Sequence, residues 1–167
     1  MHLLKTGIVA LSVALAAITV PAISGTVEIV IKSSQMLEKG NRELKLGDPE
    51  KAEYYFARAL DSNLSRNARP KALNGMCVAK IMLEEWEVAI EHCNEAINLR
   101  KDWRFYNNRG NAFFGMGQFE EALLSYQKAL KIKPSSDILK RNRMLTELQI
   151  AKQETMTKTE EGAIGQL

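Results

Sequence analysis

The sequence predicts an all-α protein built from a row of similar helix pairs, and three observations support this. Residues 103–134 contain two amphipathic helices around one turn, and weaker copies occur twice upstream. The spacing from a small residue on the first helix to an alanine on the second is 12 residues in all three copies. Length differences are confined to the connections, as expected where packed helix pairs tolerate no insertion. Such a pair cannot bury its apolar face alone, so the copies must stack.

The third copy is the best preserved. Its marker residues stand at fixed spacings: Tyr106, Gly110, Phe113, Ala122, Tyr126 and a closing Pro134. The segment resembles a tetratricopeptide repeat, with Arg109 in place of the usual leucine. The resemblance implies a right-handed α-solenoid of antiparallel helix pairs, with repeats at about 33–66, 70–102 and 103–136 and a capping helix at about 137–153.

Capping and turn residues set the helix boundaries. Gly47 and Asp48 stop the first helix, and Pro49 begins the second because a proline fits the first turn. The predicted helices span about 26–45, 49–61, 70–83, 85–99, 103–116, 118–132 and 138–153.

The last helix is predicted to cap the array. Leu145, Leu148 and Ala151 share one face at helical spacing, so this face is expected to lie on the third repeat. Residues 154–167 show no periodicity and are predicted to be a flexible tail.

Small residues are expected where the two helices of each repeat cross, because bulky side chains there would force the pair apart. They are Gly40, Cys77 and Gly110 on the first helices, and Ala52, Ala89 and Ala122 on the second.

The first 24 residues have the layout of a targeting segment. Lys5 precedes an apolar run at 7–20, Pro21 ends it, and small residues follow. The run of about 14 residues is short for a membrane-spanning helix. A cleaved signal peptide is therefore favoured over an uncleaved membrane anchor, with a core helix as a third alternative. Either of the first two predicts a location outside the cytoplasm, periplasmic or secreted, or anchored in the membrane.

The chain of 167 residues has a net charge of +3, which is too small to indicate a nucleic-acid partner. Basic residues do cluster near the end of the third repeat: Lys128, Lys131, Lys133, Lys140, Arg141 and Arg143. A solvated helix face is the simpler interpretation of this cluster, and an anionic partner or membrane surface is the sharper one.

In the tetratricopeptide-repeat family the first helices line a concave groove that holds a peptide or a partner's helix. The resemblance assigns these residues to the groove: Leu37, Asn41, Leu44, Asn74, Val78, Ile81, Arg104, Asn107, Asn111 and Phe114. Asparagine amides both donate and accept hydrogen bonds, so they suit a peptide backbone. Arg104 is expected to hold a carboxylate. The alternative is that these side chains are ordinary half-exposed residues.

Some members of the family grip the C-terminal carboxylate of a chaperone. Asn41 matches one of the positions that they use. Leu37 replaces the expected lysine, however, and Asn108 replaces the expected arginine. The sequence therefore predicts a different partner.

The two cysteines, Cys77 and Cys93, are predicted to face each other across the second helix pair. A disulfide is one interpretation, and it would require Cα atoms within about 7 Å. Two reduced, buried thiols are the favoured alternative. Their spacing matches no metal-binding motif.

Catalytic motifs are absent from the sequence, and its histidines are His2, in the leader, and His92. We expect neither an enzyme nor a bound cofactor. The predicted function is a protein-interaction module outside the cytoplasm that binds a peptide or partner protein in the groove. The alternative is a membrane-tethered structural subunit of a cell-envelope complex. The sequence does not determine the oligomeric state.

Overall fold

The computed structural model describes residues 24–62 and 64–164, and over these residues the chain forms α-helices without any strand. The all-α prediction is confirmed. Of the predicted leader at 1–24, residues 1–23 lie outside the described residues. The helices are α1 Ser24–Leu46, α2 Pro49–Leu60, α3 Arg69–Met82, α4 Trp86–Leu99, α5 Trp103–Gly115, α6 Phe119–Ile132 and α7 Asp137–Ile164.

Each helix packs on its neighbours in the chain, and the short connections make successive helices antiparallel. The first helix of each pair also contacts the first helix of the next, so α1, α3 and α5 form an inner layer. The second helices α2, α4 and α6 form the outer layer. This arrangement is the predicted solenoid of helix pairs, and its inner layer lines the concave face.

Phe56 of α2 is the centre of the first inter-repeat junction. Its fully buried ring lies against the backbones of two inner helices, at Gly40 of α1 and Gly75 of α3. A Cβ atom would come within 2.6 Å of the ring at Gly40 and within 2.4 Å at Gly75. The third pair repeats this close approach, since a Cβ on Gly110 would lie 2.6 Å from the Tyr126 ring. Glycine is required at these positions because any side chain would push the helices apart.

The turn inside each helix pair needs one residue with a left-handed backbone. Gly47 (φ 79°) and Gly117 (φ 75°) supply it in the first and third pairs. The second pair has Glu84 there, at φ 59°. Glycine adopts this conformation without steric cost, whereas a residue with a Cβ does not.

The capping helix α7 differs from its prediction in the face that it buries. Leu139 and Thr146 are fully buried against the third repeat, whereas Leu145 is 44% exposed and Leu148 is 63% exposed. Ala151 is exposed as well, so the predicted apolar face is wrong. The physical reason is that α7 continues the inner layer and meets a row of asparagine amides on α5.

The tail prediction is also wrong over most of its length, because α7 continues as a helix to Ile164. Residues 151–158 are exposed along this extension. The segment contains good helix formers and no proline, so local propensity can continue the helix without tertiary contacts.

Candidate functional site

A chain of asparagine side chains runs across the inner layer. Asn108 of α5 donates to Asn74 Oδ1 of α3 at 2.8 Å, and Asn107 donates to Asn108 Oδ1 at 3.3 Å. On the other side, Asn142 of α7 donates to Asn107 Oδ1 at 3.0 Å and to Asn111 Oδ1 at 3.5 Å. These four bonds connect three successive inner helices through their side chains. We call this set the amide row.

Tyr126 of α6 forms a hydrogen bond with one member of the amide row, Asn111. Its hydroxyl donates to Asn111 Oδ1 at 2.9 Å, and burial raises the pKa of this phenol. Both described hydrogen bonds of Asn142 are donated by its Nδ2. The described hydrogen bonds leave the Nδ2 groups of Asn74 and Asn111 and the Oδ1 atom of Asn142 without a described partner. The row therefore offers donors and an acceptor to a ligand in the groove.

A polar pocket of about 310 Å³ lies at the α3 end of the amide row. Its lining combines cations and amides: Asn41, Lys71, Asn74, Arg100, Asp102, Arg104 and Phe105. Three cationic side chains face a single carboxylate here, so the pocket carries an excess of positive charge. We call it the cationic pocket.

Asp102 fixes the geometry of the cationic pocket. Its Oδ1 caps α5 by accepting from the Arg104 backbone N–H at 3.0 Å. Its Oδ2 lies 3.3 Å from the Arg104 guanidinium and 3.5 Å from that of Arg100. Arg100 in turn lies over the Phe105 ring, 5.3 Å from its centroid. Both guanidinium groups are held in place, which lowers the entropy cost of binding an anion.

A second pocket, of about 210 Å³, lies at the α7 end of the amide row. Apart from two members of the row, its walls are apolar or aromatic: Phe114, Tyr126 and Leu145. Phe114 is fixed by an edge-to-face contact with Phe119, with ring centroids 5.1 Å apart. We call it the apolar pocket.

The structure divides the predicted groove residues into three sets. Asn41, Asn74 and Arg104 line the cationic pocket, Asn111 and Phe114 line the apolar pocket, and Asn107 lies between them. The aliphatic residues belong to the packing instead. Leu37 and Leu44 pack against the core cluster around Phe56, and Ile81 packs against the cluster around the cysteines. Val78 is half-buried on α3.

Sequence reasoning missed several residues of the site, and Asn142 is the most informative of them. A signal for it exists, since Asn108 is 34 residues after Asn74 and Asn142 is 35 residues after Asn107. These spacings are close to the repeat period, which indicates that α7 occupies the position of a fourth inner helix. Lys71, Arg100 and Asp102 were missed because they lie at helix ends and in a connection, outside the family pattern.

Arg109, the departure from the repeat pattern, has a structural role. Its guanidinium donates to Asn94 of α4 at 2.8 Å and to the buried Ser125 of α6 at 3.2 Å. It also lies over the Tyr106 ring. Burial lowers the pKa of Arg109, and its polar contacts connect the two outer helices that flank α5.

Cys77 and Cys93 are joined by a disulfide in the structure, with Cα atoms 5.3 Å apart. Both residues are fully buried and pack with Ala89 and Ala112. The bond lies between α3 and α4, behind the inner face that carries Asn74. Among the described residues, His, Cys, Asp and Glu side chains form no group of three that could hold a metal ion.

Comparison with known proteins supports the family assignment. The family profile described as tetratricopeptide repeat matches residues 103–136. Residues 103–136 form a tetratricopeptide repeat. Rat sperm-associated antigen 1 is 30% identical over 104 residues, which cover 62% of this chain and 11% of that protein. Human RNA polymerase II-associated protein 3 is 27% identical over 106 residues, covering 63% and 16%.

The Plasmodium falciparum Hsp70-Hsp90 organising protein is 29% identical over 109 residues, which cover 65% of this chain and 42% of that protein. The chain therefore spans less than half the length of each of the three relatives.

Solved structures share the fold. The first tetratricopeptide-repeat domain of human RPAP3 has a TM-score of 0.68 at 24% identity, covering 74% of this chain and 96% of that domain. The first such domain of Spaghetti, bound to the HSP90 peptide SRMEEVD, has a TM-score of 0.66 at 24% identity, covering 72% and 97%. At these identities the likeness establishes the solenoid fold alone.

The predicted extracytoplasmic location is wrong. Relatives such as RNA polymerase II-associated protein 3 and the Hsp70-Hsp90 organising protein point to an intracellular location. The signal-peptide, periplasmic, secreted and cell-envelope assignments lose their support with it. The helices that the structure describes include none long and apolar enough to cross a membrane.

Proposed function

We propose that this tetratricopeptide-repeat protein is a non-enzymatic interaction module that binds an extended peptide along the amide row. The peptide's C-terminal carboxylate enters the cationic pocket, and an apolar side chain a few residues upstream enters the apolar pocket. The observation that carries this proposal is the placement of two chemically different pockets at the two ends of one row of hydrogen-bonding amides.

The amide row suits the backbone of an extended chain. Such a chain presents alternating donors and acceptors. The Nδ2 groups of Asn74 and Asn111 and the Oδ1 atom of Asn142 can pair with them whatever the peptide's sequence. The bonds within the row already hold these amides in position. A ligand therefore gains hydrogen bonds without the full cost of ordering the side chains.

The cationic pocket suits a carboxylate. Lys71, Arg100 and Arg104 exceed the single charge of Asp102, and guanidinium groups form strong charge-assisted bonds with carboxylates. The charge comes from positions other than those expected from the sequence, where Leu37 and Asn108 carry none. Lys71, Arg100 and Arg104 supply the positive charge at this end of the groove instead.

The distance between the pockets fits a short peptide. Arg104 and Asn111 are seven residues apart on α5, and Arg104 and Phe114 are ten, which corresponds to about 10–15 Å along the helix axis. Four residues of extended chain span about 13 Å. Peptides bound by two neighbours, SRMEEVD and SGPTIEEVD, have a Met or Ile four residues before the terminal Asp. These peptides have the two groups at the separation that the pockets require.

Binding of fluorescent SRMEEVD to the full chain tests the proposal. We expect saturable binding that falls at least about tenfold when the peptide's C-terminus is amidated, because a charge-assisted bond contributes about 1.5–3 kcal/mol. Arg104→Gln should weaken binding to a similar extent. Arg66→Gln is the matched control, since Arg66 is exposed in the connection before α3 and does not line the cationic pocket.

Two further changes test the other parts of the groove. Asn74→Ala combined with Asn111→Ala should weaken every peptide, whereas Phe114→Ala should weaken SRMEEVD much more than SRSEEVD. The proposal is wrong if acid and amide peptides bind equally, or if Arg104→Gln behaves like Arg66→Gln. Circular dichroism of each variant checks that the helices are intact.

A further inference from the structure

One end of the helix pairs, where the connections from α4 to α5 and from α6 to α7 lie, carries a concentrated positive charge. The C-terminal ends of α4 and α6 and the N-terminal ends of α5 and α7 meet there, because successive helices are antiparallel. Residues 99–104 and 128–141 contain eight basic and two acidic side chains, a net charge of +6. The whole chain has a net charge of +3, so the remaining residues sum to −3. We call this end the basic edge.

The two connections that form the basic edge are in contact. Lys133, after α6, lies over the ring of Trp103 at the start of α5, with its Nζ 4.4 Å from the ring centroid. The Arg104 guanidinium lies 5.0 Å from the same centroid. Trp103 packs on the core cluster of the third repeat beneath these cations. The basic edge is therefore one continuous surface.

Large aliphatic side chains are exposed between the cations of the basic edge. Leu99 is 54% exposed, Ile132 is 45% exposed and Ile138 is 56% exposed, next to the exposed Lys101 and Lys131. Each is located at a helix end, and none of them lines the cationic or the apolar pocket. Exposed aliphatic side chains interleaved with lysines are the composition of surfaces that lie at a lipid–water interface.

We propose that the basic edge docks onto an anionic membrane surface. The lysines approach the lipid headgroups, and Leu99, Ile132 and Ile138 enter the interface between headgroups and acyl chains. A membrane fits better than a nucleic acid for two reasons. A phosphate backbone makes no favourable contact with the three exposed aliphatic side chains. The tryptophan at this edge, Trp103, is covered by Lys133 and Arg104, so a nucleic-acid base cannot stack on it.

The lysines proposed to reach the lipid headgroups differ from the residues that line the cationic pocket. The groove lies on the inner face and uses Arg100 and Arg104, both in contact with Asp102. Lys101, Lys131 and Lys133 of the basic edge are not among the residues that line that pocket. A peptide and a membrane can therefore be bound at the same time, which would hold the peptide's protein next to the membrane.

Vesicle flotation of the full chain tests the docking. We expect at least about tenfold more binding to phosphatidylcholine vesicles with one third phosphatidylserine than to phosphatidylcholine alone, because each lysine near the surface contributes about fivefold. Lys101→Gln combined with Lys131→Gln should remove most of this preference. Ile138→Gln should lower binding several-fold at unchanged charge.

Lys152→Gln combined with Lys158→Gln is the matched control. It removes the same charge from exposed positions on the extension of α7 and should keep the preference for anionic vesicles. The apolar residues 7–20 are present in every variant, so any contribution from them cancels in the comparison. The proposal is overturned if the two double variants bind anionic vesicles equally. It is also overturned if the chain ignores vesicles, including the case in which it binds a single-stranded RNA oligonucleotide instead.

Discussion

Among the described residues, Glu84 is the non-glycine residue with a positive φ angle. It has φ 59° in the turn between α3 and α4, where the first and third pairs have Gly47 and Gly117. A side chain in this left-handed conformation costs about 1–2 kcal/mol because its Cβ approaches the backbone. The second repeat therefore stores a strain that the other two repeats avoid.

Replacing Glu84 with glycine should stabilise the protein by about 1 kcal/mol, measured as the free energy of unfolding in urea. The relief of steric strain exceeds the extra flexibility that glycine gives to the unfolded chain. Glu87→Gly is the control, since it places the same change within α4 and should destabilise by about 1 kcal/mol. Equal effects of the two changes would contradict this account of the turn.

The burial of the Lys80 amine could not be predicted from the repeat pattern. In the repeat pattern it stands where the third copy has Phe113, and nothing near it in sequence explains a buried amine. The structure supplies partners from two other elements, Glu53 of α2 and Glu85 before α4, each 2.8 Å from its Nζ. Burial by itself would lower the pKa of Lys80, but these hydrogen bonds outweigh it and raise the pKa.

At the scale of elements, the α3–α4 pair is the one with a covalent link. Cys77 and Cys93 close a loop with a sequence separation of 16. In the chain-entropy account a loop of this size stabilises the folded state by about 3 kcal/mol, because it restricts the unfolded chain. The disulfide thus supports the repeat whose turn carries the strain at Glu84.

Complete reduction should lower the free energy of unfolding by about 3 kcal/mol, measured in urea with and without dithiothreitol. The double variant Cys77→Ala with Cys93→Ala should show no response to the reductant. Intact mass before and after treatment verifies that the bond has opened. A fully reduced wild type with unchanged stability would show that the disulfide contributes nothing.

The helices could be predicted well because their ends depend on nearby residues. Asp48 accepts from the Lys51 backbone N–H and Asp102 accepts from that of Arg104, as local capping rules require. The buried face of α7 could not be predicted in this way. Leu145 and Leu148 make the more apolar face, but the surface that α7 meets is a row of amides on another helix. The repeat spacing points to Asn142, but only the tertiary arrangement reveals that Thr146 is buried beside it.

At the scale of the whole molecule, α7 has two parts with different roles. Its first part buries Leu139 and joins the amide row through Asn142, whereas residues 151–158 are exposed. The first part is expected to stabilise the array, because a terminal repeat without a cap exposes its core. The second part is expected to contribute little.

Two truncations separate these parts. A chain ending at Gln153 should unfold within about 0.5 kcal/mol of the full chain, as is usual for exposed positions. A chain ending at Ser136 should lose about 3 kcal/mol or more, because it uncovers the site filled by Leu139. Urea denaturation followed by circular dichroism measures both. Similar losses from the two truncations would contradict the division of α7.

The groove is formed by all the repeats together, so only some of its residues could be predicted from the sequence. The family pattern places Asn41, Asn74, Asn107 and Asn111 on the inner face, because each depends only on its own helix. The charge of the cationic pocket comes from two separate stretches, through Lys71 on α3 and through Arg100 and Arg104 around the start of α5. The relative placement of these stretches depends on how the repeats stack, which spacing within one repeat does not report.

The flipping rate of the Phe56 ring reports on transient opening of the first inter-repeat junction. The ring is held between the backbones at Gly40 and Gly75, with no side chain on either that could move aside. A half-turn of such a ring sweeps out more space than the closed junction provides, so it must wait until α1 and α3 separate transiently. The flipping rate of one aromatic ring, visible in the line shapes of its nuclear resonances, thus measures how often the first two repeats come apart.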